Sequence, residues 1–549
     1  MLEAFRNFMK TNKKTRTLFA ILALMVLGIS WYGMPNYSYS WDSHNKLVQA
    51  WSVWQNGYGS DELFHHFANG DPEYRFFPHG ANAFGKIDGR FVSAFPIALA
   101  APFAAIWALL GPTGVLLVSS LFLVASCFVL YRFWELRGIW LFVPVLFTFL
   151  LSFTLEFNEH LIVAFLSFFG ISLWLKSGRP IAGGILIGLA VFFRHETLPL
   201  LLSTGLSALV AGAMGFSLSN DSKPSSEIGA NAEGNPPRRQ GWVRRAFSNS
   251  LIGYTAGATG AVLAFVLFNL LLYGHPLGPR FLINAAGLEV DAATRMQWAQ
   301  DLLFWHNVKP GLFGYMPALA LVLIAALVKY RKLEGEVRIL YLTILIYIPL
   351  VLLIVPNNGI MDWGPRYFGP ILLPATVLAQ RIWKMKYFGR RLVQGILFAL
   401  ALVTFSLNYA GLKYLRGARK ATAEAIQQMQ GRNADIWVFA GIDIFYYSGV
   451  EYLNRPILSL NNHSDLNDLM ALLQKEAAGK KVLFLALPAP VTESEIANKS
   501  DTDEMLEMQI RNSFSNQERK KILENLTSVE SDQLPPGLLY IEGQIAPKE

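Results

Sequence analysis

FPIALAAPFAAIWALLG (95–111) is the stretch on which the architecture turns. It is apolar enough to enter a bilayer, yet it holds Pro96 and Pro102 and ends at Gly111. A membrane span needs about 20 apolar residues, roughly 17–25. Eleven other runs read as spans: 17–33, 114–131, 139–155, 160–175, 180–193, 197–215, 247–273, 311–328, 339–356, 367–383 and 392–412. Whether 95–111 also crosses therefore decides the side of every later loop. Suppose it stays at the interface, or dips in and back, with the N-terminus inside. The segments 1–16, 132–138, 176–179, 216–246, 329–338 and 384–391 are then inside, and they hold most of the Lys and Arg near span ends. If 95–111 crosses, every later basic loop flips outside, against the positive-inside rule. The two prolines also interrupt helix hydrogen bonding. The non-crossing reading is taken.

Composition agrees with a membrane protein. Of 549 residues, 53% are hydrophobic and only 16% charged, whereas soluble domains carry about 25% charged residues. This excludes an ordinary soluble enzyme, a disordered chain and a coiled coil. One cysteine, Cys127, excludes a disulfide framework and a cysteine-based zinc site. The net charge of +8 reads as inside anchors flanking apolar runs, so no nucleic-acid partner is expected. Residues 17–33 have a basic lead but no small-residue cleavage site, and Trp31 and Tyr32 resemble an interfacial belt. They are read as a first span and not as a signal peptide.

The expected fold is thus an all-α polytopic membrane protein of about 11 transmembrane helices, with a small C-terminal α/β domain outside. Residues 1–412 form the transmembrane domain, with 34–94 its first extracytoplasmic loop and 216–246 a flexible cytoplasmic loop rich in Ser, Asn, Gly and Pro. Residues 413–549 form the outer domain. In it, 435–440 and 481–487 are short buried-strand patterns, and 419–430 and 465–478 have helical periods.

In this topology the informative polar residues gather at the outer face: Asp42 and His44, Glu73 and Arg75, Glu159 and His160, Arg194 to Glu196, Tyr273, His275 and Arg280, and Asp362, Arg366 and Tyr367. A charge at bilayer depth costs roughly 2.5–3.5 kcal/mol, so such groups face a cavity or a partner. Carboxylates supply a base and arginines bind phosphate in a fork. Together they describe a pocket for an anionic, lipid-linked substrate. Each residue also has a plainer reading: Asp42 as a helix N-cap, Glu159–His160 as a polar turn, Arg194 and Glu196 as a self-neutralising pair, and Arg366 as a snorkelling side chain.

Six stretches resemble the GT-C class of membrane glycosyltransferases, which use polyprenyl-phosphate-linked sugars. The likeness is to the branch of the protein mannosyltransferases and lipid A aminoarabinose transferases. An acidic residue follows the first span (Asp42, with Ala50 and Trp51–Trp54 behind it). DGRFVSAFPIALAAPF (88–103) resembles a "GR-x-YS-x-YPPG" loop. FNEHLIVAFL (157–166) resembles a "Y…EH…A" turn, and AGGILIGLAVFFRHETLPLL (182–201) a "RPE"-bearing helix pair. FNLLLYGHPLGPRF (268–281) and WGPRYFGPILLP (363–374) resemble "YN…FG-x-P" and "FGPRY…LP" segments. In three places the chain departs from the pattern. Ser43 and His44 follow Asp42 where a second carboxylate is usual, FPIA (95–98) lacks the glycine, and Arg194–His195–Glu196 lacks the proline.

The resemblance implies an inverting transferase of the bacterial inner membrane with its site on the outer side. Its partners would be a polyprenyl-phosphate sugar donor and an acceptor glycolipid, polysaccharide or protein. Asp42 would be the base, and Arg194, Arg366 and Arg280 would bind the donor phosphate. His44, Glu73, Glu159, His160, Glu196 and Tyr367 would line the pocket. No cofactor and no metal is expected. The rivals are a transporter or flippase for a lipid-linked saccharide and a non-catalytic scaffold. Transporters often show repeated halves, and the sequence has no fixed-period repeat.

Overall fold

Residues 97–110 are helical, and the helix breaks at Gly111 before resuming through Trp134. The break has φ 66° and ψ −169°, a left-handed φ that suits glycine. At about 1.5 Å per residue, the part before the break is about 21 Å long. That is too short to cross a hydrocarbon core of ~30 Å.

The computed structural model describes residues 13–33, 41–78, 83–214, 249–284, 290–306, 309–357, 363–385, 391–488, 509–534 and 537–547. The expected cytoplasmic loop 216–246 and Asp362 lie outside these residues. In chain order the main elements are α1 (Lys13–Tyr32), α2 (Trp41–Gln55), β1 (Phe84–Ile87), β2 (Arg90–Ser93), α3 (Ile97–Trp134), α4 (His160–Ser177), α5 (Pro180–Ala190), α6 (Thr197–Ala213) and α7 (Asn249–Tyr273). There follow α8 (Gly278–Asn284), α9 (Ala292–Leu303), α10 (Pro317–Val328), α11 (Gly335–Ile354), α12 (Leu372–Lys384) and α13 (Arg391–Gly431). The chain ends with β3 (Ile436–Phe439), β4 (Ile457–Ser459), α14 (Leu466–Ala477), β5 (Lys481–Ala486), α15 (Asn516–Glu524), β6 (Leu526–Leu534) and β7 (Leu538–Ile545).

Two compact units result. One comprises Met1–Trp31, Leu116–Gly278 and Gly287–Lys413, and the other Tyr32–Val115, Pro279–Ala286 and Tyr414–Glu549. Among the described residues, six helices are long and apolar enough to cross a membrane: α1, α3, α4, α7, α11 and α13; α5, α6 and α10 are shorter apolar helices.

The helical unit differs from the apolar-run reading most at 139–155, and less at 311–328 and 367–383, where the short turns Leu312–Tyr315 and Arg366–Ile371 precede the helix. Residues 139–155 do not form a continuous helix; they form separate turns at Gly138–Leu141, Val143–Leu146 and Phe149–Leu155. Hydroxyls compete there for the backbone. Thr148 Oγ1 donates to the Pro144 carbonyl at 2.5 Å and accepts from the Leu150 N–H at 3.2 Å. Ser152 and Thr154 donate to the carbonyls of Phe149 and Leu151. From α13, Asn408 Nδ2 donates to the carbonyls of Leu146 and Thr148 at 2.9 and 3.1 Å. Elsewhere α5 and α7 meet backbone to backbone. A Cβ on Gly184 would lie 2.1 Å from the Tyr254 carbonyl oxygen, and one on Gly257 2.2 Å from that of Ile181.

In the second unit β1 and β2 form an antiparallel hairpin, and the other five strands form one sheet of order β4-β3-β5-β7-β6, parallel among β4, β3 and β5 and antiparallel beyond. Alternate residues of a strand face opposite sides, and both faces are covered. Trp437, Phe439, Leu483 and Leu485 pack with Val48 and Trp51 of α2 and with Leu63, Tyr74, Phe77, Phe84 and Phe91 of the first loop. Val438, Val482 and Phe484 pack with Leu469 and Leu473 of α14. The Ser459 N–H donates to the Phe76 carbonyl at 2.9 Å. The first loop, 34–94, therefore groups with the tail and not with the spans that flank it.

Candidate functional site

The helical unit carries a buried ion cluster. α5 ends at Ala190, a single turn follows, and α6 starts at Thr197, so Arg194 sits in the break. Glu159 and Glu196 occupy the N-cap positions of α4 and α6, where the helix dipole favours a negative charge. Arg194 donates to Glu196 twice, from Nη2 to Oε1 at 2.8 Å and from Nε to Oε2 at 3.1 Å. Its Nη1 donates to Glu159 Oε1 at 2.8 Å and lies 3.2 Å from His160 Nε2. All four residues are buried. His160 stacks on Phe153, with ring centroids 4.5 Å apart.

Arg366 and Tyr367 open the helical turn Arg366–Ile371 beside this cluster. The Tyr367 ring lies 5.5 Å from the Arg194 guanidinium and 5.7 Å from that of Arg366. The Tyr367 hydroxyl donates to Asn357 Oδ1 at 2.6 Å, and its carbonyl accepts from the Tyr347 hydroxyl at 2.7 Å. His160, Arg194, Glu196, Arg366 and Tyr367 line one small cavity together with Val163, Thr197 and Pro370. Two acids and two arginines make the cluster electrically balanced. The Arg194 fork is committed to carboxylates, which is the self-neutralising arrangement. The FFRHE sequence revealed the Arg194–Glu196 half of this pair; it gave no sign that Glu159, 35 residues earlier, is the third member.

The other candidates lie in the second unit. Asp42 stands in the first turn of α2 and is partly exposed. At about 100° per residue, Asn45, Lys46 and Gln49 fall on the Asp42 side of α2, and all three are buried. Gln49 Nε2 donates to the Phe95 carbonyl at 3.0 Å, and the Lys46 ammonium lies 5.0 Å from the Phe95 ring. Asn45 Nδ2 is buried with no hydrogen-bond partner among the described residues. Sequence reasoning singled out Asp42 and missed these three. The i+3, i+4 and i+7 spacing from Asp42 was the signal that could have found them.

His44 points the opposite way from Asp42. It is buried, and its Nε2 donates to the Gly449 carbonyl at 2.8 Å, with Ser448 Oγ 3.1 Å away. Burial holds its imidazole down at about 4, against a smaller upward push from the Gly449 hydrogen bond. Glu73 is exposed and pairs with Lys86 at the surface. Arg280 lies half-buried in α8. Among the described residues no three His, Cys, Asp or Glu side chains converge in a way that could hold a metal ion.

No protein-family model matches the chain, and no curated protein matches it. Among solved structures, the chain is similar to the crystal structure of ArnT from Cupriavidus metallidurans bound to undecaprenyl phosphate. The identity is 12% and the TM-score 0.47, over 97% of this chain and 98% of that one.

Proposed function

We propose that this protein is a multi-pass glycosyltransferase of the inner membrane. It would move a sugar from a polyprenyl-phosphate donor to an acceptor on the outer side, with inversion at the anomeric carbon. An acceptor hydroxyl or amine attacks that carbon, Asp42 takes the proton, and the bond to the lipid phosphate breaks. The lipid phosphate leaves with the bonding pair. The protein's share is positioning, general-base help and stabilisation of charge on the leaving phosphate. General-base help is worth ~10²–10⁴ in rate.

The observation that carries the reading is the Asp42 face of α2. A partly exposed carboxylate stands over a buried lysine and two buried amides, just after the first span, where the sequence motif expects an acid. Lys46 stands one helical turn on from Asp42 and is buried. Phosphate binding is assigned to Arg366, with Arg280 as a second cation. Arg194, already held by two carboxylates, is assigned to keeping Glu159, Glu196 and Tyr367 in place.

The test is turnover by the purified full-length protein in lipid nanodiscs. The probes are radiolabelled undecaprenyl-phosphate-linked hexoses and aminopentoses with a mixed pool of envelope acceptors. Transfer by the wild type, abolished in Asp42→Asn at unchanged donor binding, supports the reading. Donor binding without transfer to any acceptor, together with donor movement across a vesicle membrane, favours a flippase.

A further inference from the structure

We propose that the C-terminal domain sets the position of Asp42: it pins the first turn of α2 through the hydrogen bond from His44 to the Gly449 carbonyl, so that His44 is a positioning residue for sugar transfer. This rests on the assignment of Asp42 as the base.

A base must be held to well under an ångström, and a displacement of about 1 Å can cost roughly 10²-fold in rate. The first turn of a helix is poorly suited to that, because its N–H groups lack partners within the helix and its end frays. Asp42 is the second residue of α2. Something beyond the helix must fix it, and the tail supplies the fixing points. Two residues after Asp42, His44 reaches Gly449 and Ser448 across more than 400 positions of sequence. Its ring meets Phe445 edge-on, with centroids 4.5 Å apart. One and two turns further along the same face, Val48 and Trp51 enter the tail's core, where Trp51 meets Tyr452 at 5.7 Å.

The acceptor side is equally rigid. Gly449 has φ 55° and ψ −130°, and a Cβ there would lie 2.6 Å from Ile426 Cδ1. The backbone conformation that presents its carbonyl thus depends on glycine. A carbonyl only accepts, so Nε2 of His44 carries the proton. A side chain that is buried, faces away from Asp42 and has its donor committed has no proton to exchange with substrate. Its contribution is to hold the helix.

The experiment compares wild type, His44→Leu, His44→Gln and Gly449→Ala in the full-length protein in nanodiscs, with the radiolabelled undecaprenyl-phosphate sugar that the wild type turns over best. Amide hydrogen exchange across residues 41–55 is measured on the same samples. His44→Leu lowers kcat about 10- to 100-fold with donor KM within about threefold, and speeds exchange at 42–46 more than at 48–55. His44→Gln places an amide N–H near the position of Nε2 and restores most of kcat. Gly449→Ala, made from the tail side, lowers kcat in the same way. Unchanged kcat in His44→Leu overturns the proposal, as does a kcat loss with unchanged exchange or a kcat loss that His44→Gln fails to relieve. Asp42→Asn is run beside them. Full turnover in that variant ends the base assignment, whereas failure of the pinning shows in the exchange profile, so the two are read separately.

Discussion

In the helical unit, Arg194 meets two carboxylates through Nε, Nη1 and Nη2. In the loop-and-tail unit, Asp42 shares its helix face with Asn45, Lys46 and Gln49, and the Asn45 amide nitrogen has no partner among the described residues. The contrast follows from the surroundings. Among apolar helices, a charge left uncompensated is expensive, so acids and bases are balanced internally. In a domain that folds around a sheet, a polar face can keep donors in reserve for another molecule. A buried arginine in a membrane protein is therefore weaker evidence for a binding site than a polar stripe on an amphipathic helix.

Several substitutions break or sharpen this contrast. The largest effect is expected at the balanced cluster. Glu196→Ala leaves Arg194 short of one carboxylate and destabilises by about 3–5 kcal/mol, which appears as loss of monodisperse protein and a lower Tm. A Glu196→Ala protein as stable as wild type would mean that the cluster is not a structural unit. Asp42→Asn is expected to cut kcat by about 10²–10⁴ with Tm unchanged, the reverse pattern. If it unfolds the protein instead, the two regions are alike.

His44 sharpens the contrast through pH. Its folded-state pKa of about 4 lies below the unfolded value of about 6.5. The unfolded chain therefore binds the extra proton, and stability is lost as pH falls from about 6.5 to about 4, on the order of 3 kcal/mol in all. Thermal melts of wild type against His44→Gln across that window read it, and the variant should melt with a shallower pH slope. Lys46→Gln should lower kcat about tenfold, or ~1.4 kcal/mol, because the helix face that carries Asp42 loses its buried cation. Glu73→Ala is expected to change Tm and turnover least, since an exposed pair with Lys86 is worth roughly 0–1 kcal/mol.

Much of the fold could be read from apolar runs, because a span is a composition signal. Pro102 lies in the short helical part that ends at the Gly111 break. The run 139–155 misled because apolarity carries no information about hydrogen bonding. The hydroxyls of Thr148, Ser152 and Thr154 and the amide of Asn408, over 250 residues away, decide its conformation. In the tail, β3, β5 and α14 announced themselves by burial patterns. β6 did not, since seven of its nine residues are exposed. The grouping of the first loop with the tail had no sequence signal at all. Val48 and Trp51 look like the apolar side of any amphipathic helix, and nothing local says that Phe439 and Tyr452 lie opposite them.

That shared core also sets a schedule for biogenesis. Trp51, Phe77 and Phe91 emerge more than 300 residues before Trp437 and Phe439 exist. At ribosomal rates of roughly 5–20 residues per second, the wait is roughly 20–70 s. During it, a set of aromatic side chains meant for an interior stands without its partners, with ten of the eleven apolar runs still to be made. A nascent chain interrupted before the tail would keep its spans and remain permanently half-closed, a natural client for envelope chaperones and proteases.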